Sequence, residues 1–419
     1  MERERKAFPT GGGDWPELRA RMREMACGDA DWQKGRVPLF VFRNDEDSYT
    51  VGREAYFDFF TENALGRNRA FHSIAAMEAD VLDYGLDLFT APEDAGGAFT
   101  SGGSESIFMA IKAARDRFRA RRSDLAAAPL NIVMPITGHP AFDKAAQTMD
   151  LEIRRAPLVC DMRVDVAAAG RLIDERTIAL VGSAPCFPHG VIDPIGELSD
   201  LAGEHDVWLH VDACVGGWLA PFFKRIGRAT PDFDFRFANV CSISADLHKF
   251  GFCPKPASTV FYRDRADLER ATFRADAWPN GIFATPTLLG TRPGGAVAGA
   301  WAVLNHLGVS GYEAAARRMA AMTDAYLRDL AAIPEIELWV EPDLTLINFG
   351  SHAVDIYAVA RTLEERGWVT GLTRAPKGLH LMLSALHEPA REAYVADLKA
   401  GIVAVREHKT EETEMVARY

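Results

Sequence analysis

A chain of 419 residues exceeds what one ordinary core organises, so two or three packed units are expected. Hydrophobic residues at 48% and charged residues at 25% place it among globular proteins and exclude disordered and fibrous classes. The net charge of -12, with no Lys/Arg stripe, excludes a nucleic-acid partner, and pairs such as Arg121-Arg122 read as solvated helix ends.

The first residues, Met1 to Lys6, are charged and lead into no apolar run, so no secretory signal is expected and the cytoplasm is the expected location. Helices are predicted over Trp15–Met25 and Val51–Glu62, and the spacing of Ile74, Met77, Val81 and Leu82 predicts a third. A Gly-rich turn follows, then a long helix from Glu105 to about Arg121. Apolar runs at 131–134, 151–154, 178–183, 207–211, 240–243 and 258–262 then alternate with helical segments at 142–149, 165–174 and 195–205. This alternation predicts an α/β core with a mainly parallel sheet. The stretch Val207–Phe223 contains His210, Asp212 and several glycines and prolines, so it reads as buried strand and turn and no membrane partner is expected. Six cysteines (27, 160, 186, 214, 241 and 253) form no C-x-x-C pair, so reduced thiols and no metal site are expected. Past a boundary near residues 293–310, a helical stretch (294–333), strands near 336–340, 344–349 and 380–383 and a helix at 355–366 suggest a separate α+β unit.

Four segments carry candidate chemistry. Thr100-Ser101-Gly102-Gly103-Ser104-Glu105-Ser106 puts two glycines and free N–H groups at a helix start, a phosphate site or simply a cap. His139, after an apolar strand, could stack on an aromatic cofactor or cap its helix. Asp212 ends an apolar strand, where α/β sheets bind ligands, and could hold a pyridine nitrogen protonated or cap the next turn; the small Ala213 leaves room for a ring. Lys249, with His248 before it, lies just past another strand; partly removed from water it becomes a nucleophile, otherwise it is a solvated loop lysine.

Their order is more informative than any one of them. Thr100–Ser106 (TSGG-x-ES), His139–Ala145 (H-x-x-FDKA), Val181–Gly190 (VGSAPCFPHG), His210–Gly217 (HVDAC-x-GG) and Ser242–Lys255 (SISAD-x-HK…PK) together resemble the group II decarboxylase branch of fold-type-I pyridoxal-phosphate (PLP) enzymes, and within it the sphingosine-1-phosphate lyases. Gly290–Gly294 and Gly378–His387 extend the resemblance, which runs from roughly Trp32 to the C-terminus. It implies the aspartate-aminotransferase-like fold, divided here into an N-terminal segment (1–75), a PLP-binding large domain (76–296) and a small α+β C-terminal domain (297–419).

The resemblance implies roles residue by residue. Lys249 is the expected Schiff-base lysine, Asp212 the partner of the pyridinium nitrogen, and His139 the ring-stacking group opposite Ala213. Gly102, Gly103, Ser104 and His248 are expected at the cofactor phosphate, with Thr291 contributed from the other subunit of a homodimer with shared active sites. Lys144 is not expected to be catalytic. Lyases of this kind bind a substrate phosphate with a lysine six residues past the Schiff-base lysine, here Lys255.

Departures from the family pattern fall on the substrate side. Phe42 stands where a substrate-facing Tyr is usual, Phe187 where some members have Tyr, and Pro256 where Gly is usual. The family's N-x-LHPDVFP is replaced by Asn63 to Phe71, in which Arg67 and Arg69 are loop charges or a second anion site. The expected activity is PLP-dependent cleavage of a carbon–carbon bond in a small or medium β-hydroxy amine bearing an anionic group. The nearest rival is an L-amino-acid decarboxylase, using Arg374, Arg67 or Arg292 as carboxylate clamp. A PLP-binding scaffold without turnover is disfavoured because Lys249 and Asp212 are both present.

Overall fold

The computed structural model describes residues 5–125 and 127–408. Helix α1 (Trp15–Met25) lies exposed, followed by α2 (Glu46–Asp58) and α3 (His72–Leu88). The second helix starts five residues before its predicted position because the Asp45 carboxylate caps the Ser48 N–H at 2.8 Å.

Seven strands form the central sheet: β1 (Gly96–Thr100), β2 (Leu130–Pro135), β3 (Leu151–Ala156), β4 (Thr177–Ser183), β5 (Trp208–Asp212), β6 (Val240–Ala245) and β7 (Ser258–Tyr262). Their spatial order is β1-β7-β6-β5-β4-β2-β3, and only β7 runs against the rest. Strands β2 and β4 to β7 are buried throughout, which is why they read as unbroken apolar runs. Helix α4 (Gly103–Arg121) follows β1 and α5 (Ala141–Met149) follows β2, each beginning beyond the carboxyl end of its strand.

A short hairpin, β8 (Phe273–Ala275) with β9 (Phe283–Thr285), precedes the long helix Gly294–Ala331, whose backbone breaks at Gly308 (φ 54°). The C-terminal unit is a four-stranded antiparallel sheet of β10 (Glu337–Leu338), β11 (Leu346–Gly350), β12 (Gly371–Arg374) and β13 (Lys377–Met382), in the order β10-β11-β13-β12. The segment before α2 does not stand apart from this unit. Val369 N–H donates to the Arg36 carbonyl (2.9 Å), Met382 N–H to that of Pro38 (2.8 Å), and the His387 imidazole bonds the Val37 carbonyl (2.9 Å).

Candidate active site

Five of the parallel strands, β1, β2, β4, β5 and β6, point their carboxyl ends toward one cavity of about 380 Å³. Gly102–Ser104 reach it after β1, Thr137 and His139 after β2, Ser183 ends β4, Asp212 ends β5, and Asp246, His248 and Lys249 follow β6. This is where an open α/β sheet gathers side chains and leaves main-chain groups unpaired.

The start of α4 is built for an anion. Gly103 and Ser104 stand at its N-terminus, where the helix itself offers their N–H groups no acceptor and the dipole is positive. Close packing requires glycine here: a Cβ on Gly103 would lie 2.7 Å from Cys214 Sγ and 3.0 Å from the Asp246 carboxylate. Glu105 fixes the loop, accepting from Ser101 N–H (2.6 Å) and from Leu289 N–H (2.9 Å).

Asp212 is buried, and its Oδ1 accepts from Cys214 N–H at 3.1 Å. Two residues back on the same face, His210 lies between the Ser242 (2.8 Å) and Ser244 (3.2 Å) hydroxyls, and burial pushes its imidazole down to about 4. His139 accepts the Ala141 N–H at Nδ1 (3.1 Å); burial outweighs the pull of Asp212 and lowers its proton affinity, so it presents a neutral ring. His248 accepts the Ala257 N–H at Nδ1 (3.1 Å), and its Nε2 lies 3.7 Å from Asp246. Lys249 Nζ lies 3.1 Å from Asp246 Oδ2. Ala213 is fully buried at the end of β5.

Two further cavities open beside this one. The first, of about 380 Å³, shares Thr137, His139 and Phe187 with it and is walled by apolar side chains such as Leu39, Ile136, Leu158 and Leu372 together with His189, Thr373, Arg374 and His380. Phe187 packs on His380 there, ring centroids 4.6 Å apart. The second, of about 450 Å³, meets the central cavity at His248 and contains Lys255 among Trp32, Phe42, Tyr49, Tyr56 and Phe252. Lys255 Nζ donates to the Phe40 carbonyl (3.0 Å), and Phe42 stands edge-on to Phe250 at 5.0 Å. At the other end of the strands a groove of about 550 Å³ carries Arg117, Arg121 and Arg270, each already ion-paired with Asp267 or Asp206.

Arg67 and Arg292, candidates for a substrate anion, and Thr291, expected at the other subunit's site, lie off these cavities. Arg67 turns to Glu78 (3.6 Å) and the Ala64 carbonyl (3.2 Å). Arg292 is buried on the same Glu78 (3.1 Å) and on the Phe99 carbonyl (2.8 Å). Thr291 Oγ1 accepts from Asn63 (3.2 Å) and is not among the lining residues. Conversely, Asp246 was not singled out from sequence. It sits directly past a buried strand, the same position that drew attention to Asp212.

An anion cradle, a buried carboxylate, a neutral imidazole face and a primary amine around one cavity are the donor set that pyridoxal phosphate requires, and the residues fit it. Residues 69–352 match the pyridoxal-dependent decarboxylase conserved domain. The sphingosine-1-phosphate lyase of Oryza sativa is 35% identical over 386 residues, covering 90% of this chain and 71% of that protein. A probable L-tyrosine/L-aspartate decarboxylase of Methanothermobacter thermautotrophicus is 34% identical over 336 residues, 80% of this chain and 89% of that one. The structure of a sphingosine-1-phosphate lyase from Burkholderia pseudomallei superposes with a TM-score of 0.91 at 34% identity, covering 97% of this chain and 94% of that chain. The chain therefore belongs to the pyridoxal-dependent decarboxylase family and is a PLP-dependent lyase.

Proposed function

We propose that this enzyme cleaves the Cα–Cβ bond of a phosphorylated β-hydroxy amine, releasing an aldehyde and a shortened amine phosphate. The observation that carries this reading is Lys255. Its ammonium stands in the aromatic cavity that meets the central one at His248, and among the described residues no carboxylate pairs with it. A cation kept without an acidic partner at the mouth of the site suits an anionic headgroup. The apolar cavity beyond Phe187 gives an alkyl chain a dry path away from the reacting centre. Relatives named sphingosine-1-phosphate lyases support the same bond.

In this reading Lys249 anchors the cofactor, and Gly102, Gly103, Ser104 and His248 hold its phosphate. Asp212 would keep a proton on the cofactor's ring nitrogen, and His139 and Ala213 would flank the ring. Bound pyridoxal phosphate supplies the electron sink for the bond broken at Cα. Lys255 orients the substrate by its anion, and Phe42 and Phe187 exclude water from either side. The orientation that these side chains impose on the bound amine would select which bond at Cα reacts. Arg67 sits beside Glu78 and the Ala64 carbonyl, away from the substrate cavities. For the decarboxylase alternative, Arg374 is the cation that the geometry leaves near the site.

Exposed Trp15, Met22, Phe57, Phe60, Ile282 and Leu288 support a homodimer in which Thr291 faces the other subunit's site. Among the described residues no helix is long and apolar enough to cross a membrane. All six cysteines are free, which supports a reducing, cytoplasmic setting. The division at residues 75 and 296 is kept, with the strip from Arg36 to Val41 assigned to the C-terminal unit.

Mass spectrometry of the products decides the reaction. Purified enzyme with pyridoxal phosphate is offered phosphorylated β-hydroxy amines and ordinary amino acids. An aldehyde with a shortened amine phosphate is expected. An amine lighter by one CO₂ would overturn the lyase reading for the decarboxylase.

A further inference from the structure

Asp246 is 2% exposed, one residue past β6, in the turn that carries Lys249; the Lys249 N–H donates to its carbonyl at 3.3 Å. Its Oδ2 lies 3.1 Å from Lys249 Nζ, while Oδ1 is buried with no hydrogen-bond partner. Gly103 closes the other side, with no room for a Cβ. A carboxylate in such a place is strongly disfavoured unless a charge answers it. Burial pushes this carboxyl up, but Lys249 and then His248 outweigh it and hold the group below its ordinary range.

We propose that Asp246 is a positioning residue for Lys249: its carboxylate holds the lysine ammonium whenever that nitrogen is not joined to the cofactor, both before loading and while a substrate amine has taken its place. The ammonium has three donors and the carboxylate offers a second, unused oxygen to receive one of them. The exchange balances. The incoming substrate ammonium gives up two protons as its nitrogen forms the new double bond, the double bond to the Lys249 nitrogen breaks, and the departing nitrogen gains two protons to become the ammonium. The other groups around Lys249 are Asp212, His139, Glu105 and Cys214 across the cavity, and His248 and Lys255 on its own loop.

The inference rests on Lys249 as the anchoring lysine, and the experiment separates the two. Holoenzyme is titrated with 2-aminoethylphosphonate, an amine that lacks the hydroxyl needed for cleavage, and the exchange is followed by visible absorbance. Asp246→Asn is expected to raise the apparent dissociation constant about tenfold, the scale of one charge-assisted hydrogen bond. The pH of half-maximal rate for reloading cofactor-free enzyme with pyridoxal phosphate should also move lower, since the ammonium loses its counter-charge. Asp246→Glu, with its charge displaced by one methylene, should raise the constant by a smaller factor, and it carries the test if the Asn variant does not fold. A constant and a pH midpoint unchanged within about twofold in a folded variant would overturn the proposal. Lys249→Ala is the control: if it keeps the wild-type visible band the anchoring assignment itself fails, whereas loss of that band with a wild-type-like Asp246→Asn removes only the role of Asp246.

Discussion

Around Lys249 the working groups sit at the ends of buried strands, whereas around Lys255 they sit on exposed loops and on segments distant in sequence. Asp212 ends and Asp246 follows a strand with no exposed residue, and the rotamers of His210 and His139 are tied by hydrogen bonds of 2.8 to 3.2 Å. Lys255 instead leans on the carbonyl of Phe40, a residue more than two hundred positions away, in a cavity walled by the N-terminal segment. Two departures from the family pattern, Phe42 and Pro256, fall in this second region or beside its Lys255. The comparison teaches that the cofactor half is held by the sheet and tolerates little change, while the substrate half can be retuned without disturbing it.

Breaking the first region should have the larger effect. Asp212→Asn removes the charge that keeps the ring nitrogen protonated, and kcat is expected to fall on the order of a hundredfold or more. A fall below about fivefold would argue that the ring needs no such partner. Breaking the second region should change binding rather than chemistry. Lys255→Gln is expected to raise KM for a phosphorylated substrate about tenfold with kcat little altered, one charge-assisted hydrogen bond being lost. An unchanged KM would place the anion elsewhere.

The pH response sharpens the comparison through stability. His210 and His380 are buried, and burial pushes both down to about 4. The unfolded chain takes up these protons first, near the ordinary value of about 6.5. Stability is therefore full above that pH and falls as pH drops toward 4, by up to about 1.4 kcal/mol per unit for each histidine. Asp193, pushed up to about 6 by burial, offsets part of this because its carboxyl is relieved by protonation. Denaturant midpoints at pH 7 and pH 5 should show the loss; a flat profile would contradict the burial of neutral rings. The smallest effect is expected at Arg67. Its alanine variant should lose about 1 kcal/mol of stability, since Glu78 keeps Arg292, and leave KM unchanged. A raised KM would return Arg67 to the substrate site.

Much of the first region is legible in the sequence because a fully buried strand is an unbroken apolar run, and the residue that ends it is where ligands bind. Asp212, His139 and Lys249 are legible this way, while Gly102 and Gly103 are legible as a glycine pair at a helix start. Strand β1 is not legible in the sequence because its first two residues are glycines, which are needed where β1 pairs with β7 and the Phe261 ring covers Gly97. The break at Gly308 and the β8–β9 hairpin carry too little periodicity to be seen. Contacts between the strip at Arg36–Val41 and the C-terminal sheet are backbone bonds across more than three hundred residues, which no local pattern records. The turn of Arg67 toward Glu78 is likewise a tertiary choice, set by a buried acid that needed charge.

The central claim, that Lys249 is the residue to which the cofactor is joined, is tested by reducing the pyridoxal-phosphate-loaded enzyme with borohydride and mapping the modified peptide by mass spectrometry. The expected result is one pyridoxyl group per chain, on Lys249. A label on Lys144 or Lys255, or none at all, would contradict the account.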